Sequence, residues 1–206
     1  LSACINLKTI EQHMVGKYSE FYSRSIVILP TSIDKIKEYA FSYNGRQYVR
    51  LVLCQNESVL EKVRRSSRSL LEEKAIYGKL VRSGGFYFAD DEKTILIGVD
   101  ESLEEAIVPS SVKKIAVDAF YLAKNIKLID LSACKNLQEI ERWAFRKCLN
   151  AVIKMPQDVQ YIQVGAFGID GDDYCKKVIV PNVEMRQKVL SSGFYDSRIT
   201  VSNVGN

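Results

Sequence analysis

Two stretches of this chain, 130 residues apart, are nearly the same: LSACINLKTIE at 1–11 and LSACKNLQEIE at 131–141. A second phrase recurs between and after them, as LPTSIDKIKEYAF at 29–41, VPSSVKKIAVDAF at 108–120 and MPQDVQYIQVGAF at 155–167. Self-similarity of this kind means a solenoid, because each copy is one supersecondary unit too small to bury its own apolar face. Burial then comes from stacking copies on one another. A stack of this kind argues against an enzyme and leaves the partner unnamed.

Aligned on a proline column, the units carry Pro30, Cys54, Pro109, Ser132, Pro156 and Pro181. The steps are 24, 55, 23, 24 and 25 residues, and four of the five fall within the roughly 20–29 residues of leucine-rich repeats. One position before the column stand Leu29, Leu53, Val108, Leu131, Met155 and Val180; three before stand Val27, Leu51, Ala106, Ile129, Ile153 and Val178. All are apolar. The intervening position is mixed: Ile28, Val52, Ile107, Asp130, Lys154 and Ile179. Period-two alternation marks a half-buried strand, and one such strand per coil builds a parallel sheet with a core face and a wet face. Proline ends each strand because it cannot donate to the ladder. A second apolar anchor follows at Ile36, Ile115, Ile140 and Ile162, and then Ala-Phe at 40–41, 119–120, 144–145 and 166–167. The small residue allows close backbone approach at a tight turn, and Phe41, Phe120, Phe145 and Phe167 are expected to stack in one buried column. Asn6 and Asn136, at matching places, are read as bonding the backbone of a neighbouring turn.

Residues of about 57–100 depart from the pattern and are read as an irregular insert. Its first half is expected to hold a short strand and a polar excursion, with Arg64–Arg68 in a solvated loop. Its second half reads as a hairpin after Gly84-Gly85, with strands over 86–89 and 94–98. At the far end NVEMRQKVLSSGF looks helical, with Asn182 as N-cap, Met185, Val189 and Leu190 on one face and Gly193 closing it. A last strand follows in RITVSN. Together residues of about 178–206 are expected to form a C-terminal cap protecting the end of the stack. The whole, 1–206, is read as a single repeat domain, starting mid-repeat and so a piece of a longer protein.

The phrase (I/V)-x-(I/L/V/M)-P-x-x-(V/I)-x-x-I-x-x-x-A-F resembles the BspA-like branch of the leucine-rich-repeat superfamily. IDLSACKNLQEIERWAF is similar to repeats in surface proteins of gut and oral Bacteroidetes, FYFADDEKTILIGV to the irregular insert of that family, and VIVPNVEMRQKVLSSGF to its terminal unit. His13-Met14-Val15 stands where Ala-Phe is expected in the first copy. The resemblance implies an α/β fold, a right-handed leucine-rich-repeat solenoid with a parallel β-sheet face and short convex turns or helices. It also implies a secreted or surface-attached protein serving adhesion or protein binding, with no catalytic residues.

Other chemistry finds little purchase. The single His13 leaves no partner set for histidine-based catalysis, and no phosphate-cradling or dinucleotide glycine pattern is present. No cofactor and no metal site is expected: Asp170-Gly171-Asp172-Asp173 lacks the spaced ligands of a calcium loop and reads as a solvated turn. A formal charge of +4 falls short of a nucleic-acid footprint, and no apolar run approaches the roughly 18 residues of a membrane span. Leu1-Ser2-Ala3-Cys4 matches a lipoprotein cleavage box, but the same letters return at 131–134, which repeat periodicity explains and lipidation does not. Cys4, Cys54, Cys134, Cys148 and Cys175 are read as structural thiols, with a Cys148–Cys175 disulfide as the alternative. The function expected is a non-enzymatic recognition or adhesion module for a protein or glycan on a host or neighbouring cell. Ile28, Val52, Ile107, Asp130, Lys154 and Ile179, which the pleat turns outward, form the binding face. The alternatives are a passive spacer presenting another domain, or polyanion binding through Arg64–Arg68.

Overall fold

The alternating segments become parallel strands, and the second apolar anchor becomes a further set of short strands in a ladder of its own. The computed structural model describes residues 8–11, 25–43, 46–47, 49–66, 74–169 and 174–202. These fall into two units, Leu1–Leu80 and Val81–Asn206. Cys4, Asn6, His13, Arg68 and the 170–173 turn lie outside the described residues.

In the first unit β1 (Thr9–Ile10), β2 (Ile26–Leu29) and β3 (Lys35–Ile36) are followed by an antiparallel pair, β4 (Ser42–Tyr43) and β5 (Arg46–Gln47). Then come β6 (Leu51–Cys54), α1 (Glu57–Ser66) and β7 (Ala75–Tyr77). Strands β2, β6 and β7 form one parallel sheet and β1 pairs with β3. The register differs from the sequence alignment by one residue: Leu29 pairs with Cys54 and Val27 with Val52. Gln55, not Cys54, therefore occupies the Pro30 column, and Val52 joins Val27 and Leu29 in the core. All four β6 residues are apolar and buried, so alternation gave no purchase on which face was which.

The polar excursion expected after β6 is an amphipathic helix. The Asn56 side chain accepts the Val59 N–H at 2.7 Å, which satisfies one donor the first turn leaves open. Val59, Leu60 and Val63 form its buried stripe. Arg64 and Arg65 sit in its last turn, where positive charge suits the helix dipole, and Arg64 meets Glu61 at 3.3 Å.

The second unit opens with an antiparallel meander, β8 (Val81–Ser83), β9 (Phe86–Phe88) and β10 (Ile95–Val99). The hairpin stands where the sequence placed it, with β8 added ahead of Gly84-Gly85. The remaining strands alternate between two sheets. β11 (Glu105–Ile107), β13 (Leu128–Asp130), β15 (Val152–Lys154), β17 (Lys177–Val180) and β18 (Ile199–Val201) form a five-stranded parallel sheet. The short strands β12 (Lys114–Ile115), β14 (Glu139–Ile140) and β16 (Tyr161–Ile162) stack in parallel onto β10. Helix α2 (Val183–Ser191) and a 3-10 turn (Asp196–Arg198) lie between β17 and β18. Asn182 caps α2, accepting the Met185 N–H at 2.7 Å.

Between the sheets the inward rows share one core with the Ala-Phe turns. Ala106, Ile129, Ile153 and Val178 come from one side and Leu96, Ile115, Ile140 and Ile162 from the other. Phe120 and Phe145 have ring centroids 5.3 Å apart, Phe145 and Phe167 5.4 Å, and Phe194 extends the stack at 5.2 Å. Phe41 is fully buried in the core of the first unit. The residue before each Ala-Phe has left-handed backbone: Tyr39, Asp118, Trp143 and Gly165. The tight turn demands that conformation, and coil-to-coil bonds such as Trp143 N–H to the Gly165 carbonyl hold it. The chain is thus an α/β repeat fold built from parallel ladders.

Candidate functional site

On the five-stranded sheet the pleat sends the residues flanking each core position to the opposite face. Because the coils from β11 to β17 differ in length by only one or two residues, these positions fall in register. Ile107 pairs with Asp130, Asp130 with Lys154, Lys154 with Ile179, and Ile179 with Thr200. Four of the residues expected on a binding face therefore form one cross-strand row.

Ile107 is the most open, at 55% exposure. Beside it, Lys154 Nζ meets Asp130 Oδ2 at 3.3 Å. Asp130 is held from behind: its Oδ1 accepts the Ser132 N–H at 2.9 Å and the Ser132 hydroxyl at 2.6 Å. Partial burial pushes the Asp130 carboxyl up, but the Ser132 bonds and Lys154 outweigh it and hold the group below its ordinary value. A related device occurs at Asp100, whose Oδ1 accepts the Ser102 N–H and hydroxyl. Ile179 is half-buried. The row is a charged pair flanked by two aliphatic side chains.

The other two expected residues lie in the first unit. Ile28 is half-buried and pairs with Leu53, which is buried. Val52 is fully buried and cannot present its side chain to a partner. The one-residue difference in register reverses its face, as any such step must where the side-chain period is two.

Sequence reading missed the outer row of the second ladder. There Lys114 Nζ meets Glu141 at 2.6 Å and Glu139 at 3.1 Å. Gln163 donates to Glu139 at 2.8 Å, and Glu141 also accepts the Val117 N–H at 2.8 Å. Burial pushes the Lys114 ammonium down, but its two carboxylate partners outweigh that and raise it. Bonds that knit successive coils mark this network as structural. The residues stood beside Ile115 and Ile140 in the sequence, where two-residue strands are too short to announce themselves by alternation.

Cys54, Cys134, Cys148 and Cys175 are buried and free. Burial pushes Cys134 up to about 11 and Cys54 and Cys175 up to about 12. Cys148 Sγ donates to the Phe120 carbonyl at 2.9 Å, fixing one coil on the next. A thiol held neutral in this way is a poor nucleophile. Asn136, expected to bond a neighbouring turn, is exposed and makes no such bond among the described residues. Asn125 and Asn150 do, donating to the carbonyls of Glu101 at 2.9 Å and Lys124 at 3.0 Å. Among the described residues no cluster of three acidic, Cys or His side chains is placed to hold a metal ion, and no helix is long and apolar enough to cross a membrane.

Comparison with known proteins agrees with this geometry. No curated protein matches the chain. Among solved structures it is similar to the crystal structure of the pneumococcal vaccine antigen PcpA, at 13% identity and a TM-score of 0.33, covering 96% of this chain and 70% of that one. The family model for the BspA type leucine rich repeat region matches six copies over residues 99–205, the span of the two stacked ladders. The chain belongs to the BspA-type leucine-rich-repeat family.

Proposed function

We propose that this chain is a non-enzymatic recognition module, working on or outside a cell surface and binding a protein or glycan of a host or neighbouring cell. The observation that carries the reading is the in-register row Ile107–Asp130–Lys154–Ile179. Repeat arrays present side chains from successive coils as one extended surface, and here that surface combines one exposed and one half-buried aliphatic group, Ile107 and Ile179, with a partly exposed ion pair. Exposed apolar residues set among polar ones favour a docked partner. In this reading the second unit is a right-handed solenoid, with α2 and β18 as its terminal cap. In the first unit Ile28 is half-buried on its own sheet, and Val52, fully buried, takes no part in binding.

The test is attachment of the chain to cell surfaces, compared between the parent and an Ile107→Lys/Lys154→Gln variant. The variant should melt almost where the parent does, because exposed substitutions usually shift stability by within about 0.5 kcal/mol. Its attachment should fall. Normal attachment by this variant, together with loss in an Arg64→Glu/Arg65→Glu variant, would move the site to helix α1 and support polyanion binding instead.

A further inference from the structure

At the leading ends of β13, β15 and β17, two residues along the strands from the Ile107 row, the second unit carries an open groove of about 960 Å³. Lysines at 124, 127 and 176 line it with a single carboxylate, Glu104. Lys127 pairs with Glu104 at 2.9 Å, so the groove's one anion is spoken for. Lys124 and Lys176 are exposed and make no side-chain hydrogen bond or ion pair among the described residues. The intervening coil places Leu149 between them in sequence, 49% exposed, with half-buried Val152 after it. That coil supplies no acid to the groove. Two cations that no described residue neutralises therefore stand beside an open aliphatic side chain, a combination that water solvates poorly on the apolar side.

The remaining polar groups decide between ligand classes. One amide N–H of each of Asn125 and Asn150 is already committed to a main-chain carbonyl of the preceding coil. No aromatic ring lines the groove among the described residues. A sugar would thus find no stacking platform. A carboxylate finds two lysines, and a neighbouring apolar side chain finds Leu149 and Val152.

We propose that this groove receives an acidic, apolar-containing segment of a protein partner, with its carboxylates on Lys124 and Lys176 and an aliphatic side chain against Leu149 and Val152. The assignment rests on the reading of the chain as a recognition module and names the chemistry of a second contact.

Fluorescence anisotropy on the whole chain tests it with a labelled peptide of alternating Glu and Leu. A peptide with Gln for Glu and a labelled heparin oligosaccharide serve as comparisons. The acidic peptide should bind and be displaced by salt, since exposed charge pairs are screened. The Gln peptide and heparin should bind far more weakly. Lys124→Glu/Lys176→Glu should lower peptide affinity by about tenfold or more, as like charges then face each other across the contact. Leu149→Ser should weaken it severalfold, and Ile107→Lys/Lys154→Gln should leave it unchanged. The proposal is overturned if the parent ignores the acidic peptide, if the lysine variant binds it normally, or if heparin binds better and is indifferent to Leu149→Ser. Should the peptide fail while Ile107→Lys/Lys154→Gln still impairs surface attachment, the groove assignment is wrong and the recognition reading stands.

Discussion

Phe145 is fully buried, with Phe120 on one side and Phe167 on the other. A ring in that position serves two coil interfaces at once. Phe145→Ala should therefore cost about 3–5 kcal/mol, the range for truncating a core aromatic, and denaturant unfolding measures it directly. A loss under about 1 kcal/mol would mean that the neighbouring coils collapse onto the gap, against the limited relaxation usual in close-packed cores. The column before Ala-Phe offers a subtler case. Gly165 has φ +79, and an added Cβ would stand 3.2 Å from Ile169 Cγ1. Gly165→Ala should destabilise by about 1–2 kcal/mol, the usual cost of left-handed backbone in a residue with a side chain. Asp118 and Trp143 carry that strain in the same column, held there by coil-to-coil hydrogen bonds, so the variant should still fold.

Strands β13 and β15 were legible because a buried apolar position stands beside a charged outward one: Ile129 beside Asp130, Ile153 beside Lys154. Where that contrast vanishes, as in LVLC at β6, the face could not be assigned, and Val52 was misplaced. The second ladder was harder to see, since two-residue strands such as Glu139–Ile140 give no period. Helix α1 did leave a signal, with Asn56 as cap followed by Val59, Leu60 and Val63 at helical spacing, in a stretch where the repeat lapses. Caps are among the elements most open to test. Asn182→Ala removes the acceptor for the Met185 N–H and a 3.4 Å bond from Asn182 Nδ2 to the Gln157 carbonyl of the preceding coil. It should cost about 1 kcal/mol, in the usual range for an N-cap, read as a lower melting temperature. The groove was not legible at all: Lys124, Leu149 and Lys176 come together only because stacking aligns three coils of nearly equal length.

For the molecule as a whole, acid is the simplest probe of how the coils are joined. Burial pushes Asp130 and Glu139 up, but bonds from Ser132 and Lys154 in the one case, and from Gln163 and Lys114 in the other, leave both below their ordinary values of 3.8 and 4.5. A carboxyl whose folded pKa is depressed stabilises the native state above its unfolded pKa and loses that contribution as pH falls through the folded one. Both groups bond across successive coils, so stability should hold from neutrality to about pH 5 and then decline, with coil-to-coil contacts weakening in both sheets. Lys114→Met/Glu139→Gln should flatten part of that decline, and an unchanged pH profile would show that the ladder contributes nothing. The same contacts decide how binding must be tested. Charge reversal at Asp130 is a poor probe of the outer face, because its carboxylate also anchors Ser132 and the turn that follows β13. Ile107 reaches outward without such a duty. Ile107→Lys should therefore reduce surface attachment at unchanged melting temperature. Phe120→Ala should do the reverse, losing stability first and attachment only as the fold fails. Attachment that tracks melting temperature across both variants would mean the row has no part in binding beyond being folded.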